Sequence, residues 1–236
     1  MSSEVSGLKS ATFHGDGYEH VVELVHQRDD HARRSLIALQ VEVREAGGDL
    51  LATLPVDPRE EILDVADLTR PHVGGRGLVM VTFDARYDPR TLPYRPHHYA
   101  YLHRRGSGGP SLYYAVNAVL GGVPDRVGAT TANNLENYLF LRRPLEERYS
   151  LLVGNVAHWA TAKARVLAYY AGRPRTLDLT LEPGAHAELA LPAEQDGARL
   201  ERVDMKTTFR LATYVVGRRA DSGDMVLFDH LFPYFK

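Results

Sequence analysis

The 236 residues are 44% apolar and 25% charged with a formal charge of −2, an ordinary globular balance in a chain long enough for one large core or two of domain size. The near-neutral charge and a pI near 6.6 speak against a nucleic-acid partner, whose affinity rests on neutralising phosphates, and no apolar run is long enough to span a bilayer as a helix. The absence of cysteine removes disulfides, thiolate ligands and thiol nucleophiles, and fits a cytoplasmic location.

In chain order, residues 1–17 are rich in Ser, Gly, Lys and Asp and lack the apolar stretch of a signal peptide, which predicts a flexible N-terminal tail. A β-branched strand is predicted over 21–25. Residues 36–43 alternate, with Leu39, Val41 and Val43 on one face and Gln40, Glu42 and Arg44 on the other. Gly47-Gly48-Asp49 predicts a hairpin turn into a return strand over 50–56. A short strand over 62–65 and a loop over 71–75 follow. The unbroken apolar run 78–83 predicts a strand buried on both faces. After a Pro-rich loop at 88–96, residues 99–103 and 111–116 predict a hairpin around Gly106-Ser107-Gly108-Gly109-Pro110.

Residues 121–148 read as a linker, opening on Gly121-Gly122-Val123-Pro124, with an extra strand over 137–141 and a turn of helix over 145–148. A strand over 151–153 and a loop over 154–159 then lead into a second set of strands. No stretch carries helical periodicity over three turns.

That second set echoes the first. Val41-Glu42-Val43-Arg44-Glu45-Ala46-Gly47 and Leu54-Pro55-Val56-Asp57-Pro58 align without a gap on Val166-Leu167-Ala168-Tyr169-Tyr170-Ala171-Gly172 and Leu179-Thr180-Leu181-Glu182-Pro183. Arg104-Arg105 and Leu112-Tyr113-Tyr114 align on Arg218-Arg219 and Val226-Leu227-Phe228. The offset between the two blocks changes by eleven residues, so copy one carries extra chain at 71–77, at 88–96 or at both. Short strands punctuated by Gly and Pro predict an all-β protein of two tandem sandwich-like domains, jelly-roll or immunoglobulin-like, over 18–120 and 149–236 and related by duplication. A single double-barrel β domain is the alternative.

Two resemblances rest on this pattern. The strands of copy two, with Asn155 after the first, tyrosines ending the second and a third running into a Pro-containing turn, resemble sensory rhodopsin transducer proteins in hydrophobic pattern; that likeness carries no site residue. Leu181-Glu182-Pro183-Gly184-Ala185-His186 resembles the Pro-Gly turn of cupins. Cupin metal sites need a His-x-His pair, and no such pair occurs here, so no metal or cofactor is predicted.

The segment 97–105 is the richest in functional groups. On a strand, His97, Tyr99, Tyr101, His103 and Arg105 share one face, and His98, Ala100, Leu102 and Arg104 the other. The first row suits a flat ligand, with phenol, imidazole and guanidinium groups to hydrogen-bond it; its bland counterpart is the polar face of an edge strand. His158-Trp159, in a loop and holding the only tryptophan, is either a ligand contact or a plug at the end of a core. Asp30-His31 and Asp229-His230 are sequence neighbours that a strand sends apart, and the Asn133–Asn137 cluster lines a cleft or is simply linker. No Gly-x-Ser-x-Gly elbow or phosphate loop occurs. The expectation is a non-catalytic, cytoplasmic protein recognising a small, carbohydrate-like ligand or a protein partner, and forming a homo-oligomer through strand edges. The rival is an enzyme using the His, Tyr and Arg groups for acid-base work, and a third reading is a structural or assembly subunit.

Overall fold

The computed structural model describes residues 6–15, 20–24, 34–57, 59–60, 62–88, 98–102, 112–116, 134–140, 147–157 and 159–233. The described residues are mostly β-strand, with a short helix at Val65–Val73, and the chain divides into two compact units, Met1–Leu120 and Gly121–Lys236.

Unit 1 contains β1 (Ser6–His14), β2 (His20–Leu24), β3 (Leu36–Arg44), β4 (Leu50–Pro55), β5 (Ile62–Asp64), α1 (Val65–Val73), β6 (Val79–Tyr87), β7 (His98–Leu102) and β8 (Leu112–Val116). They form two antiparallel sheets, ordered β1-β6-β3-β4 and β5-β2-β7-β8. The run predicted to be buried on both faces is β6, and Val79, Met80, Val81 and Phe83 are all wholly buried.

Several elements differ from expectation. The predicted tail contains β1, which pairs with β6 from Ser6 to His14; Ala11 and Phe13, two apart, are fully buried and supply the apolar face that its Ser and Lys content masks. The predicted loop 71–75 is partly helix. Asp64 caps α1 by accepting the Asp67 N–H at 3.0 Å, Thr69 Oγ1 bonds the Val65 carbonyl at 2.7 Å, and Gly74 closes it in the left-handed region at φ 55. Nine residues with Pro71 inside are too few to show helical periodicity.

Unit 2 contains β9 (Asn134–Leu139), β10 (Glu147–Gly154), β11 (Ala162–Tyr170), β12 (Arg173–Leu181), β13 (His186–Leu191), β14 (Glu194–Gln195), β15 (Ala198–Thr207), β16 (Ala212–Arg219), β17 (Met225–His230) and β18 (Phe232–Pro233). One antiparallel sheet runs β13-β10-β16-β17 and the other β12-β11-β15-β9-β18, with β14 beside β15. β11 shows why: Ala162, Ala164, Val166, Ala168 and Tyr170 are buried while Lys163 and Arg165 between them are exposed. Residues of both sheets, including Tyr149, Leu151, Val153, Val166, Met205 and Val215, belong to one hydrophobic cluster, together with Phe209 from the β15–β16 connection. Within the predicted linker, the extra strand expected over 137–141 overlaps β9, which begins earlier, at Asn134, and whose Glu136 is fully buried, and of the predicted helical turn at 145–148 Glu147 and Arg148 belong to β10.

Taken in chain order, the two units share one strand order: β1-β6-β3-β4 corresponds to β9-β15-β11-β12, and β5-β2-β7-β8 to β13-β10-β16-β17. The echoed segments fall on corresponding strands, β3 with β11, β4 with β12, and β8 with β17. The extra chain of unit 1 includes α1, where unit 2 has only β14. The hairpins differ in their turns. Ala171-Gly172 makes a two-residue turn with φ 46 and 74, whereas in unit 1 the chain bends over Glu45 to Asp49 with Gly48 at φ 98. Val166 accordingly faces Leu177 and Val41 faces Leu54.

Candidate ligand-contact site

At the end of β10 the chain leaves the sheet through Asn155, whose side chain is buried. Its Nδ2 donates to the carbonyls of Ala160 at 2.8 Å, Glu182 at 3.1 Å and Leu181 at 3.2 Å, and its Oδ1 accepts the Ala157 N–H at 3.1 Å. Two amide hydrogens shared among three carbonyls satisfy the group and fix the loop from several directions. The Asn155 backbone N–H donates to Ala185 O at 2.8 Å, and Gly184 N–H to Ala157 O at 3.1 Å.

The partner of that loop is a turn. Ala185 N–H donates to Glu182 O at 3.0 Å with Gly184 at φ 76, so Pro183 and Gly184 hold the central positions of a type II turn. Thr161 Oγ1 donates to Glu182 Oε2 at 2.8 Å. A third segment joins through Thr208, whose Oγ1 accepts the Lys163 N–H at 3.2 Å and whose N–H donates to Lys163 O at 3.1 Å. Thr207 Oγ1 then donates to the Phe209 carbonyl at 2.5 Å.

Trp159 rides on this framework. Its ring lies at 25° to that of Phe209 with centroids 6.3 Å apart. Phe209 is 2% exposed and Trp159 45%. Phe209 therefore closes this part of the core, and the indole lies over it with much of its surface in water. A large aromatic surface is thus left partly in water on a loop braced by Asn155.

The other sequence-predicted residues are placed less fully. Tyr99 and Tyr101 lie on β7, facing Glu23 and Ala115, and Val21 and Tyr113, across the two neighbouring strands. β7 is thus an interior strand, not an edge. His97, His103, Arg105 and His158 lie outside the described residues, as do Asp30, His31 and the Gly106–Pro110 tip. Asp229 and His230 do not diverge as a regular strand would send them: Asp229 Oδ1 accepts the His230 N–H at 2.9 Å and stands 3.3 Å from its Nδ1.

No family model, curated protein or solved structure matches the chain. Among the described residues no helix is long and apolar enough to cross a membrane, and no group of three or more His, Asp or Glu side chains is placed to hold a metal ion.

Two charged clusters bring together groups that the sequence did not join, although Glu136 belongs to the Asn133–Asn137 stretch noted there. In unit 2, buried Glu136 accepts Thr213 Oγ1 at 2.6 Å and stands 3.7 Å from Arg210 Nε. In unit 1, Lys9, Asp84, Glu42 and Arg44 share one face of the β1-β6-β3-β4 sheet. Lys9 Nζ is 3.6 Å and Arg86 Nη2 3.9 Å from Asp84 Oδ2, and Arg44 pairs with Glu42 at 3.4 Å. Burial pushes the Lys9 ammonium below its ordinary value, against the pull of Asp84 and Glu42. The signal was present in the alternation of Lys9, Ala11 and Phe13, but it lay in a stretch whose composition reads as tail.

Proposed function

We propose that the chain recognises a small ligand with a flat apolar face and a polar rim, of which a sugar ring is the natural example, and that Trp159 is its stacking surface. The observation that carries this reading is the indole, 45% exposed over a buried Phe209, on a loop fixed by the four side-chain bonds of Asn155. Glu182 and Thr161, tied to each other in the same loop system, supply polar groups for a hydroxylated ligand. The protein is non-catalytic in this reading, and binding needs no cofactor.

The architecture behind it is a tandem of two β-sandwich units derived by duplication and working in the cytoplasm. The shared strand order of the units and the gap-free echo of β3 with β11 support that descent. A protein partner, including a second copy of the chain, is the second reading. It is favoured by the outer face of β11 and β15, where Arg202 stacks 4.1 Å from the Tyr169 ring centroid beside exposed Leu139 of β9, a composition found at interface anchors. Calorimetric titration against a panel of neutral and acidic sugars tests the first reading. A saturable heat that Trp159→Ala abolishes and Trp159→Tyr retains in part is expected; equal heats for wild type and Trp159→Ala would overturn it. Light scattering across a concentration series tests self-association.

A further inference from the structure

We propose that the ligand of the Trp159 site carries a phosphate, received by Lys163 and Lys206; the inference rests on Trp159 as the stacking surface and names the class of ring placed there. The indole and the two ammonium groups belong to the same two chain segments. Lys163 lies four residues beyond Trp159, at most about 14 Å of extended chain. On the neighbouring strand, the Thr208 N–H donates to the Lys163 carbonyl at 3.1 Å and its Oγ1 accepts the Lys163 N–H at 3.2 Å. The next residue is Phe209, whose ring stacks with the indole at 6.3 Å. Lys206 stands opposite Arg165 in the β11–β15 register, which makes it a diagonal neighbour of Lys163 on the outer face of that sheet.

The carboxylates around these lysines are already engaged: Asp178 with Arg165 at 2.7 Å, Asp204 with Arg202 at 2.9 Å, and Glu182 with the Thr161 hydroxyl at 2.8 Å. Lys163 and Lys206 are exposed and, among the described residues, their side chains form no ion pair or hydrogen bond. Two unmatched ammonium charges on adjacent strands repel each other and gain most from an anion that both can share. A phosphate monoester carries nearly two negative charges at neutral pH, and lysine binds phosphate as a point charge. The Thr208 hydroxyl, which accepts the Lys163 N–H, keeps its own hydrogen to donate to a phosphate oxygen. Unit 1 has no such pair. The gap-free echo puts Gln40 at the position of Arg165, and the residue opposite Gln40 is Asp84, an acid where unit 2 has Lys206.

Calorimetric titration of the full chain with glucose, galactose and mannose, each also as its 6-phosphate and its uronate, tests the assignment. For the hexose that binds, the phosphate ester should bind about tenfold more tightly than the neutral sugar, the margin of two surface ion pairs together, with the singly charged uronate between them. In the double variant Lys163→Gln/Lys206→Gln, whose side chains are exposed, the phosphate ester should fall to the affinity of the neutral sugar, which itself binds as to wild type. Equal wild-type affinities for sugar and phosphate ester, with heats that Trp159→Ala still abolishes, would overturn the phosphate assignment and leave the stacking reading standing. No Trp159-dependent heat with any of the nine compounds would overturn both. A phosphate preference that survives the double substitution would overturn the role of the two lysines, and a uronate bound as tightly as the phosphate would overturn the choice of a dianion.

Discussion

In unit 1 the sheet face that carries Lys9, Asp84, Glu42 and Arg44 keeps Ala11, Phe13 and Met80 wholly out of water, whereas the corresponding face of unit 2 presents Arg165, Lys206 and Leu139 to solvent. Gln40, Glu42 and Arg44 of β3 stand where β11 has Arg165, Leu167 and Tyr169 in the echoed sequence. Both faces pair charges. In unit 2 Arg165 meets Asp178 at 2.7 Å and Arg202 meets Asp204 at 2.9 Å, shorter than the Lys9–Asp84, Arg86–Asp84 and Arg44–Glu42 separations of unit 1. The physics nevertheless gives the unit 1 pairs the greater weight, because the Asp84 and Glu42 carboxylates are largely out of water and lose compensation when a partner is removed, while an exposed pair is screened and hydrated once broken. Contact distance alone misranks them.

The largest effect expected from this contrast is in Asp84→Asn, which leaves the partly buried Lys9 ammonium beside a neutral amide and should lower stability by about 2 kcal/mol in urea unfolding. A loss below about 1 kcal/mol would make the unit 1 face energetically like the exposed one. Next comes Asn155→Ala, which takes a donor from the carbonyls of Ala160, Leu181 and Glu182 and an acceptor from the Ala157 N–H and should cost about 2 kcal/mol; the freed loop should also make Trp159 emission easier to quench. The hairpins supply a gain instead of a loss. Ala171 sits at φ 46, so Ala171→Gly should stabilise the tight turn of unit 2 by about 1 kcal/mol, measurable as a higher melting temperature. Smallest is Asp178→Asn, with no measurable change in unfolding midpoint at neutral pH. The Arg165 guanidinium holds the Asp178 carboxyl below its ordinary value. Whatever the pair contributes is therefore present above the unfolded-state pKa and is lost as pH falls through the lower folded one.

Where strands obey period two, the sequence disclosed them. Leu39, Val41 and Val43 marked β3, the unbroken apolar run marked β6, and the repeated segment marked the corresponding strands of the two units. What escaped depended on distant partners or on short elements. β1 is a polar stretch that becomes a strand by pairing with β6, β9 was expected only from Asn137 onward and begins at Asn134, and α1 is too short and too interrupted by Pro71 to show its period. The same reason hid the unit 1 cluster: Lys9 and Asp84 meet across a register that no local pattern encodes. Trp159 was legible as a candidate because it is the sole tryptophan in a loop, but its support by Phe209 and Asn155 arises only when three separate segments come together.

Intrinsic Trp159 fluorescence under acrylamide quenching, read with and without each sugar of the panel, tests the recognition claim most directly, since no other tryptophan contributes. The account predicts a solvent-shifted, quenchable indole that at least one ligand protects in a saturable manner. An indole that acrylamide cannot reach, or one that stays fully quenchable whatever sugar is added, would contradict it.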